Sequence, residues 1–291
     1  MKIAITAEST IDLPQEMLEE YRIKTIPFTV IMGNEEFADG TIDPQRLFDY
    51  TKENKKLPKT AAVNQFQYEE FFREILKDAD HILHFSLSSA ISCAYRNADS
   101  VSKEEEFLGK VDVIDSKTLS TGIALQAIYA RELADAGYSP QEIIAKVLER
   151  RSSALASFTI ETLDNLFKGG RCSALAMLGA NILHLKPQII VKEDGSMTKD
   201  HLYRGTLMKV NERYVDDELA AHPNFDKKLI FITHSGLPED VIAMIRGKLQ
   251  KAGFERIVPT RASATISVYC GPHTVGILFY ADGPHPIIPK K

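Results

Sequence analysis

The stretch HILHFSLSSAISCAYRNADSV, His81–Val101, is the one from which the rest of the chain can be read. HILHFSL is nearly continuous in apolar content, as a strand buried on both faces of a parallel sheet must be. Helical spacing follows it. Between the two lie Ser86, Ser88, Ser89 and Ser92, four hydroxyls in seven residues. A strand that runs directly into a helix is the repeating unit of a parallel α/β sheet covered by helices. The hydroxyls have two readings. Ser88 or Ser89 caps the helix by accepting one of its unpaired N–H groups. Alternatively, the hydroxyls and the partial positive charge of the helix N-terminus hold an anion, outside the carboxyl ends of the strands where open α/β sheets bind ligands. Ser92, a turn further on, is not placed to cap.

The same rhythm extends in both directions. KIAIT precedes LPQEMLEEY, and VDVID precedes LSTGIALQAIYARELADA, in which Ile123, Ile128 and Leu133 recur at helical spacing. A second series begins near Leu155, after the SPQEIIAKVLERRSS helix. ASFTI predicts a strand, ETLDNLF a helix, and GGRCSALAMLGANIL a glycine turn into another helix. KPQIIVKEDGSMTKDHLY predicts a hairpin through Asp194-Gly195. KKLIFITHS, VIAMIRGKLQKAGF, RIVPT and TVGILFYA complete an α+β set. The expected domains are therefore residues 1–154, a parallel-sheet α/β unit, and 155–291, an α+β unit.

Bulk properties narrow the function. The 291 residues carry 35 Lys and Arg against 40 Asp and Glu, a net charge of −5, with no basic tract. Nucleic acid is an unexpected partner for such a surface. No apolar run reaches the ~20 residues that span a bilayer, and MKIAITAEST lacks a signal-peptide layout. Three cysteines, Cys93, Cys172 and Cys270, are too few and too scattered for a disulfide framework or a CxxC metal site. A cytoplasmic protein with reduced thiols is the expectation.

Nucleotide-binding glycine motifs and the GxSxG elbow of serine hydrolases are both absent. No His/Asp/Glu cluster has metal spacing, so no metal and no cofactor is expected. His81 and His84 sit on a buried strand. Lys168–Ala176, KGGRCSALA, is a turn in which two glycines permit close backbone approach and Arg171 can fork onto phosphate or carboxylate. Thr60 precedes a helix beginning near Phe66, and Tyr269–Tyr280, YCGPHTVGILFY, enters a strand through Gly-Pro.

Taken in order, these segments resemble the DegV family of fatty-acid-binding proteins. KIAITAESTIDLP resembles the family's strand followed by D-S-T-x-D-L-P, with Glu8 in place of Asp. EEFADGTID, FSLSSAISCAY and VDVIDSKTLSTG resemble its E-Y-x-D-G, I-S-S-x-L-S-G-T-Y and V-x-D-S pieces. TLDNLFKGGRCS resembles T-L-x-Y-L-x-K-G-G-R-I-S, the most specific of them. LKPQIIVKEDGSM and YRGTLMK complete the series. The resemblance implies two α/β domains with a tunnel between them for one long-chain fatty acid. It implies a non-catalytic role, presenting the carboxylate to a separate fatty acid kinase that forms an acyl phosphate for phospholipid metabolism. By position it assigns Ser92 to the carboxylate, with Ser88 and Ser89 beside it, and Thr60 to the family's T-S-Q-P loop. Arg204 matches a second-domain Arg near the head group, and Arg171 faces the kinase or the pocket mouth. Three departures occur there. S-G is Ser92-Cys93, T-S-Q-P is Thr60-Ala61-Ala62-Val63, and H-T-G-P-G is Tyr269-Cys270-Gly271-Pro272-His273, which brings Tyr269 and His273 into the expected ligand set. Two alternatives stand beside the carrier: a binder of another carboxylate metabolite, and a stand-alone enzyme with Ser92 or Cys93 as nucleophile.

Overall fold

In the computed structural model, which describes residues 1–171 and 185–290, the chain opens with β1 (Ile3–Glu8), α1 (Gln15–Glu20) and β2 (Ile23–Ile26). Next come β3 (Thr29–Met32), β4 (Glu35–Ala38), α2 (Pro44–Asn54), β5 (Lys59–Ala61) and α3 (Gln65–Ile75). The deciding segment supplies β6 (His81–Ser86) and α4 (Ala94–Ser102), followed by β7 (Val111–Asp115), α5 (Thr121–Asp135) and α6 (Pro140–Arg150). β2, β1, β6 and β7 form a sheet in that order with every pair parallel. All six residues of β6 are buried, including His81 and His84.

β3, β4 and β5 form a small antiparallel sheet in the order β4-β3-β5, which the sequence reading leaves out. Its signal is the Gly33-Asn34 dipeptide between TVIM and EEFA. Met32 pairs with Glu35, leaving a two-residue loop, and Gly33 takes φ +63, which glycine adopts without strain.

The second half begins with β8 (Ala154–Thr159) and α7 (Asp164–Gly169). The helix expected after the KGGRC turn, with Cys172, lies outside the described residues. Then follow β9 (Leu185–Val191), β10 (Met197–Arg204), α8 (Leu207–Ala221), β11 (Leu229–His234), α9 (Glu239–Ala252), β12 (Arg256–Arg261), α10 (Ala264–Cys270) and β13 (Val275–Tyr280). Their sheet runs β10-β9-β8-β13-β11-β12, antiparallel except for β11 with β12. β9 and β10 are the expected hairpin, turned at Gly195 (φ +82), where Asp194 Oδ1 accepts from Ser196 N at 2.9 Å.

α5 joins the halves. Eleven of its 15 residues are buried, the first ten without a break, so only its last turn reaches solvent. The buried part of α5 packs on β1 and β6 on one side and on β8 and β13 on the other. One continuous core results, from Ile5 and Phe85 through Ile123 and Ala127 to Phe158 and Leu278. At its far edge Arg150 of α6, 5% exposed, pairs with Asp226 at 2.8 Å and Asp282 at 3.1 Å and lies 3.6 Å over the Tyr280 ring.

Candidate ligand-binding site

The parallel sheet reverses its order between β1 and β6, and their carboxyl ends mark the place where such sheets bind ligands. Glu8, the last residue of β1, fills that point. Its fully buried carboxylate accepts from Tyr68 Oη at 2.6 Å, Ser86 Oγ at 2.6 Å and Leu87 N at 2.9 Å, with His84 Nε2 at 3.2 Å. Burial pushes the carboxyl up, but the bonds from His84, Ser86 and Tyr68 outweigh it and hold Glu8 below the usual carboxylate range. The same burial and the Glu8 charge raise the Tyr68 phenol well above its ordinary value.

Beyond Glu8 the serine turn departs from the capping expectation. Ile91 N and Ser92 N both bond to Ser88 O, closing a single turn, and α4 begins only at Ala94. Ser88 and Ser89 therefore lie ahead of the helix and do not cap it. Ser92, expected not to cap, accepts the Ala94 N–H at 3.1 Å. Ser88 is buried and donates to Gly195 O at 2.9 Å, tying the turn to the β9–β10 hairpin. Ser89 Oγ accepts from Lys117 Nζ at 2.9 Å, and Ser89 N donates to Asp115 at 3.1 Å.

A cavity of about 320 Å³ opens beside this turn, at the lower end of the range for small-molecule pockets. The first half contributes Phe28, Thr60, Ala62, Leu87, Ile91, Ser92, Cys93 and Leu119; the second contributes Leu166, Arg171, Met197, Thr265, Ile266, Tyr269 and Cys270. Leu119, Ile266 and Cys270 also wall a smaller space of about 30 Å³ lined by Phe158, Gly276 and Leu278. The lining is mostly apolar, and its hydroxyls come from few positions. Thr60 Oγ1 and Tyr269 Oη are hydrogen-bonded at 2.7 Å across 209 residues of sequence. The Arg171 guanidinium stacks 4.4 Å from the Tyr269 ring centre while donating to Gly169 O at 2.6 Å. Arg171 is the only formal charge among the described lining residues. Ser92 and Cys93 place the N-terminal end of α4 at the same wall, which favours an anion there.

Of the residues singled out from sequence, Thr60, Ser92, Tyr269 and Arg171 thus meet in one cavity. Ser88 and Ser89, also expected at the ligand, are not among the lining residues, their groups being taken by Gly195, Lys117 and Asp115. Arg204 is exposed at the end of β10 and is not among the lining residues. His273 is exposed with φ +57, its Nδ1 2.7 Å from Glu161 Oε2, and does not line the cavity either. Cys93 and Cys270 are free thiols, and burial pushes Cys270 up to about 12. No group of His, Cys, Asp and Glu suited to a metal occurs among the described residues. No described helix is long and apolar enough to cross a membrane.

Two carboxylates that the sequence reading left without a role hold α10, which carries Tyr269 and Cys270. Asp12 Oδ1 accepts from Ser263 N at 2.9 Å, and Asp39 Oδ1 accepts from Ala264 N at 2.8 Å. Both lie inside motifs already noted, IDLP and ADG, but nothing in a linear sequence tells that they meet one helix start more than 220 residues away.

Comparison with known proteins finds relatives along nearly the whole chain. The family model described as "Uncharacterised protein, DegV family" matches residues 2–282. The solved structure of a DegV family protein from Thermus thermophilus, described for its fatty acid binding, superposes with a TM-score of 0.89 at 26% identity, covering 97% of this chain and 100% of that one. The "Fatty acid-binding protein" of Thermotoga maritima is 26% identical over 282 residues, 95% of this chain and 96% of its own. A DegV family protein from Eubacterium eligens, loaded with heptadecanoic acid, shares the fold with a TM-score of 0.82 at 21% identity, covering 96% of this chain and 99% of that one.

Proposed function

This chain belongs to the DegV family, and on that premise we propose that it holds one long-chain fatty acid between its two halves and presents the carboxylate to a separate ATP-using kinase. The observation that carries the reading is the form of the cavity: mostly apolar walls that share Leu119, Ile266 and Cys270 with a smaller apolar space, and few hydroxyls, among them Ser92 and the hydrogen-bonded pair Thr60 and Tyr269. A chain of about fourteen buried methylenes contributes at most ~11 kcal/mol at ~0.8 kcal/mol each. The head needs hydrogen-bond donors yet must stay reachable for phosphoryl transfer. Neutral hydroxyls meet both demands better than a buried arginine fork, which would hold the carboxylate too firmly.

The reading as an independent enzyme is less well supported. The described lining residues include no His, Asp or Glu to serve as base, and a serine or cysteine nucleophile needs one or a lowered pKa. A carrier needs neither.

Native mass spectrometry followed by denaturing extraction tests the proposal. One long-chain fatty acid per chain is the expected result; a polar metabolite, or a protein that takes up no added fatty acid, refutes it. Ser92→Ala and Tyr269→Phe should each weaken uptake by roughly ten-fold, the loss of one hydrogen bond to a charged group. Formation of acyl phosphate only when a kinase and ATP are added would support the presenting role.

A further inference from the structure

We propose that residues 283–290 form a latch between the two halves, and that undoing it sets how often the cavity at their boundary opens to a ligand. The segment leaves β13 in the second half and ends on the α5–α6 corner of the first. It has no regular structure of its own, and Pro284, Pro286 and Pro289 stiffen it. Arg150 of α6 holds its root, Nη2 donating to Gly283 O at 3.3 Å. Midway, Ile287 packs against the continuous core. At the tip, Tyr138 Oη donates to Ile288 O at 3.0 Å, Lys290 N donates to Ala136 O at 2.8 Å, and Lys290 pairs with Glu142. The Lys290 ammonium also stands 4.8 Å from the Tyr138 ring centre. Arg150, Tyr138, Ala136 and Glu142 all belong to the first half, so the segment ties the halves together beyond their covalent crossing at Arg151–Ser153.

Tie and cavity sit at opposite ends of α5. Leu119, just before the helix, lines the cavity, and Ala136, just after it, receives the strap. The 15 residues of the helix put about 22 Å between them. At the cavity end the halves meet through the bonds of Thr60 with Tyr269 and of Asp12 with Ser263. A ligand enclosed by walls from both halves leaves only when those walls part. Packed units move as bodies, so a movement that parts the walls also pulls on a strap that spans the same boundary. The strap is built to let go. Its tip is exposed, and the pair of Lys290 with Glu142 is exposed on both sides and holds weakly. Segments with few buried contacts open ahead of the core.

Gly137 supplies the test. A Cβ there would stand 3.6 Å from Lys290 Cβ, a spacing that a disulfide spans. Gly137→Cys with Lys290→Cys, oxidised, fixes the latch shut, and the same protein reduced is its control, with wild type carried through the same oxidation. Tyr138→Phe with Lys290→Pro opens the latch by removing both hydrogen bonds and the ion pair at the tip while keeping the ring. Alkylation of Cys270 by iodoacetamide reads the opening without any ligand, because that thiol is buried on the cavity wall. It should run about five-fold faster in the open variant than in the wild type, and about five-fold slower in the oxidised than in the reduced form. Hydrogen exchange of the β6 amides, central in the parallel sheet, should be unchanged in the open variant. Uptake and release of a fluorescent fatty acid should quicken together there, with Kd unchanged. Alkylation indifferent to the disulfide overturns the proposal. So does an open variant in which Cys270 and the β6 amides quicken alike, since that is loss of global stability. A protein that takes up no fatty acid yet alters its Cys270 rate as expected upholds the latch and removes the fatty-acid reading.

Discussion

Replacing Asp12 by asparagine should flatten the pH dependence of stability above pH 4. Asp12 is 5% exposed and takes a left-handed backbone, φ 55. Its Oδ2 accepts from Ser120 Oγ at 2.5 Å and its Oδ1 from Ser263 N at 2.9 Å, so it links the start of α5 to the start of α10. Burial pushes its carboxyl up to about 7 from 3.8, against the bonds from Ser120 and Ser263, and the nearby Asp39 adds to the rise. The raised value means that the folded state prefers the neutral acid. The stabilisation is therefore complete below about pH 4, where both states are protonated. It falls as pH rises toward 7, because the unfolded chain releases the proton first. A difference of about three pH units corresponds to at most roughly 4 kcal/mol.

Asparagine has the same shape and tolerates left-handed backbone well. Its carbonyl can accept the Ser263 N–H and its amide can donate to Ser120, so the link survives without the charge. Urea unfolding followed by circular dichroism from pH 4 to 9 reads the difference between the two proteins. The subtraction also cancels Glu8, whose lowered value works in the opposite sense, stabilising above its own pKa and losing that contribution on acidification. The variant should gain on the wild type steadily between pH 4 and 7 and hold a constant lead above that. Parallel curves across the whole range would show that Asp12 is ionised in the folded protein and would refute the reasoning.

Two further outcomes test the packing of the halves and the state of the cavity. Gly195→Ala should cost about 2 kcal/mol or more in urea unfolding, because a Cβ there would stand 2.1 Å from Ser88 Oγ at φ +82; an unchanged midpoint would mean that the hairpin does not dock on the serine turn. Alkylation followed by peptide mapping should modify exposed Cys93 quickly and buried Cys270 slowly, its thiol being pushed up to about 12. Added fatty acid should slow both, since both line the cavity, and labelling indifferent to the ligand would place the ligand elsewhere.

Legibility followed the range of the interactions. β6, β11 and β13 announce themselves because a strand buried on both faces is apolar in every register, and the Asp194-Gly195 hairpin because its turn chemistry is local. The β3–β5 sheet escaped because its strands are only three or four residues long, even though Gly33-Asn34 marks the turn. Ser92 and Thr60 were readable through ordered motifs. The start of α4 was misplaced by several residues because a serine-rich segment offers many equivalent caps, and the choice was made by long-range partners. Ser88 is taken by Gly195, and Ser89 by Lys117 and Asp115. The partnership of Thr60 with Tyr269 spans most of the chain and has no local signature.

Glu8 accounts for where the ligand head must lie on the reading proposed here. In an open parallel sheet the N–H groups just beyond the strand ends are the natural anion donors. Here Leu87 N, the first such group after β6, is occupied by the Glu8 carboxylate at 2.9 Å, and the Ser86 hydroxyl is occupied by the same group at 2.6 Å. A second carboxylate at that point would face an ionised, fully buried one and find its donors taken. Beyond that point the cavity lining offers the Ser92 hydroxyl, the N-terminal end of α4 and the hydrogen-bonded hydroxyls of Thr60 and Tyr269. On that reading, a protein carboxylate at the switch point leaves the boundary between the halves as the place for the ligand head. There α10 lines the cavity from the second half through Tyr269 and Cys270.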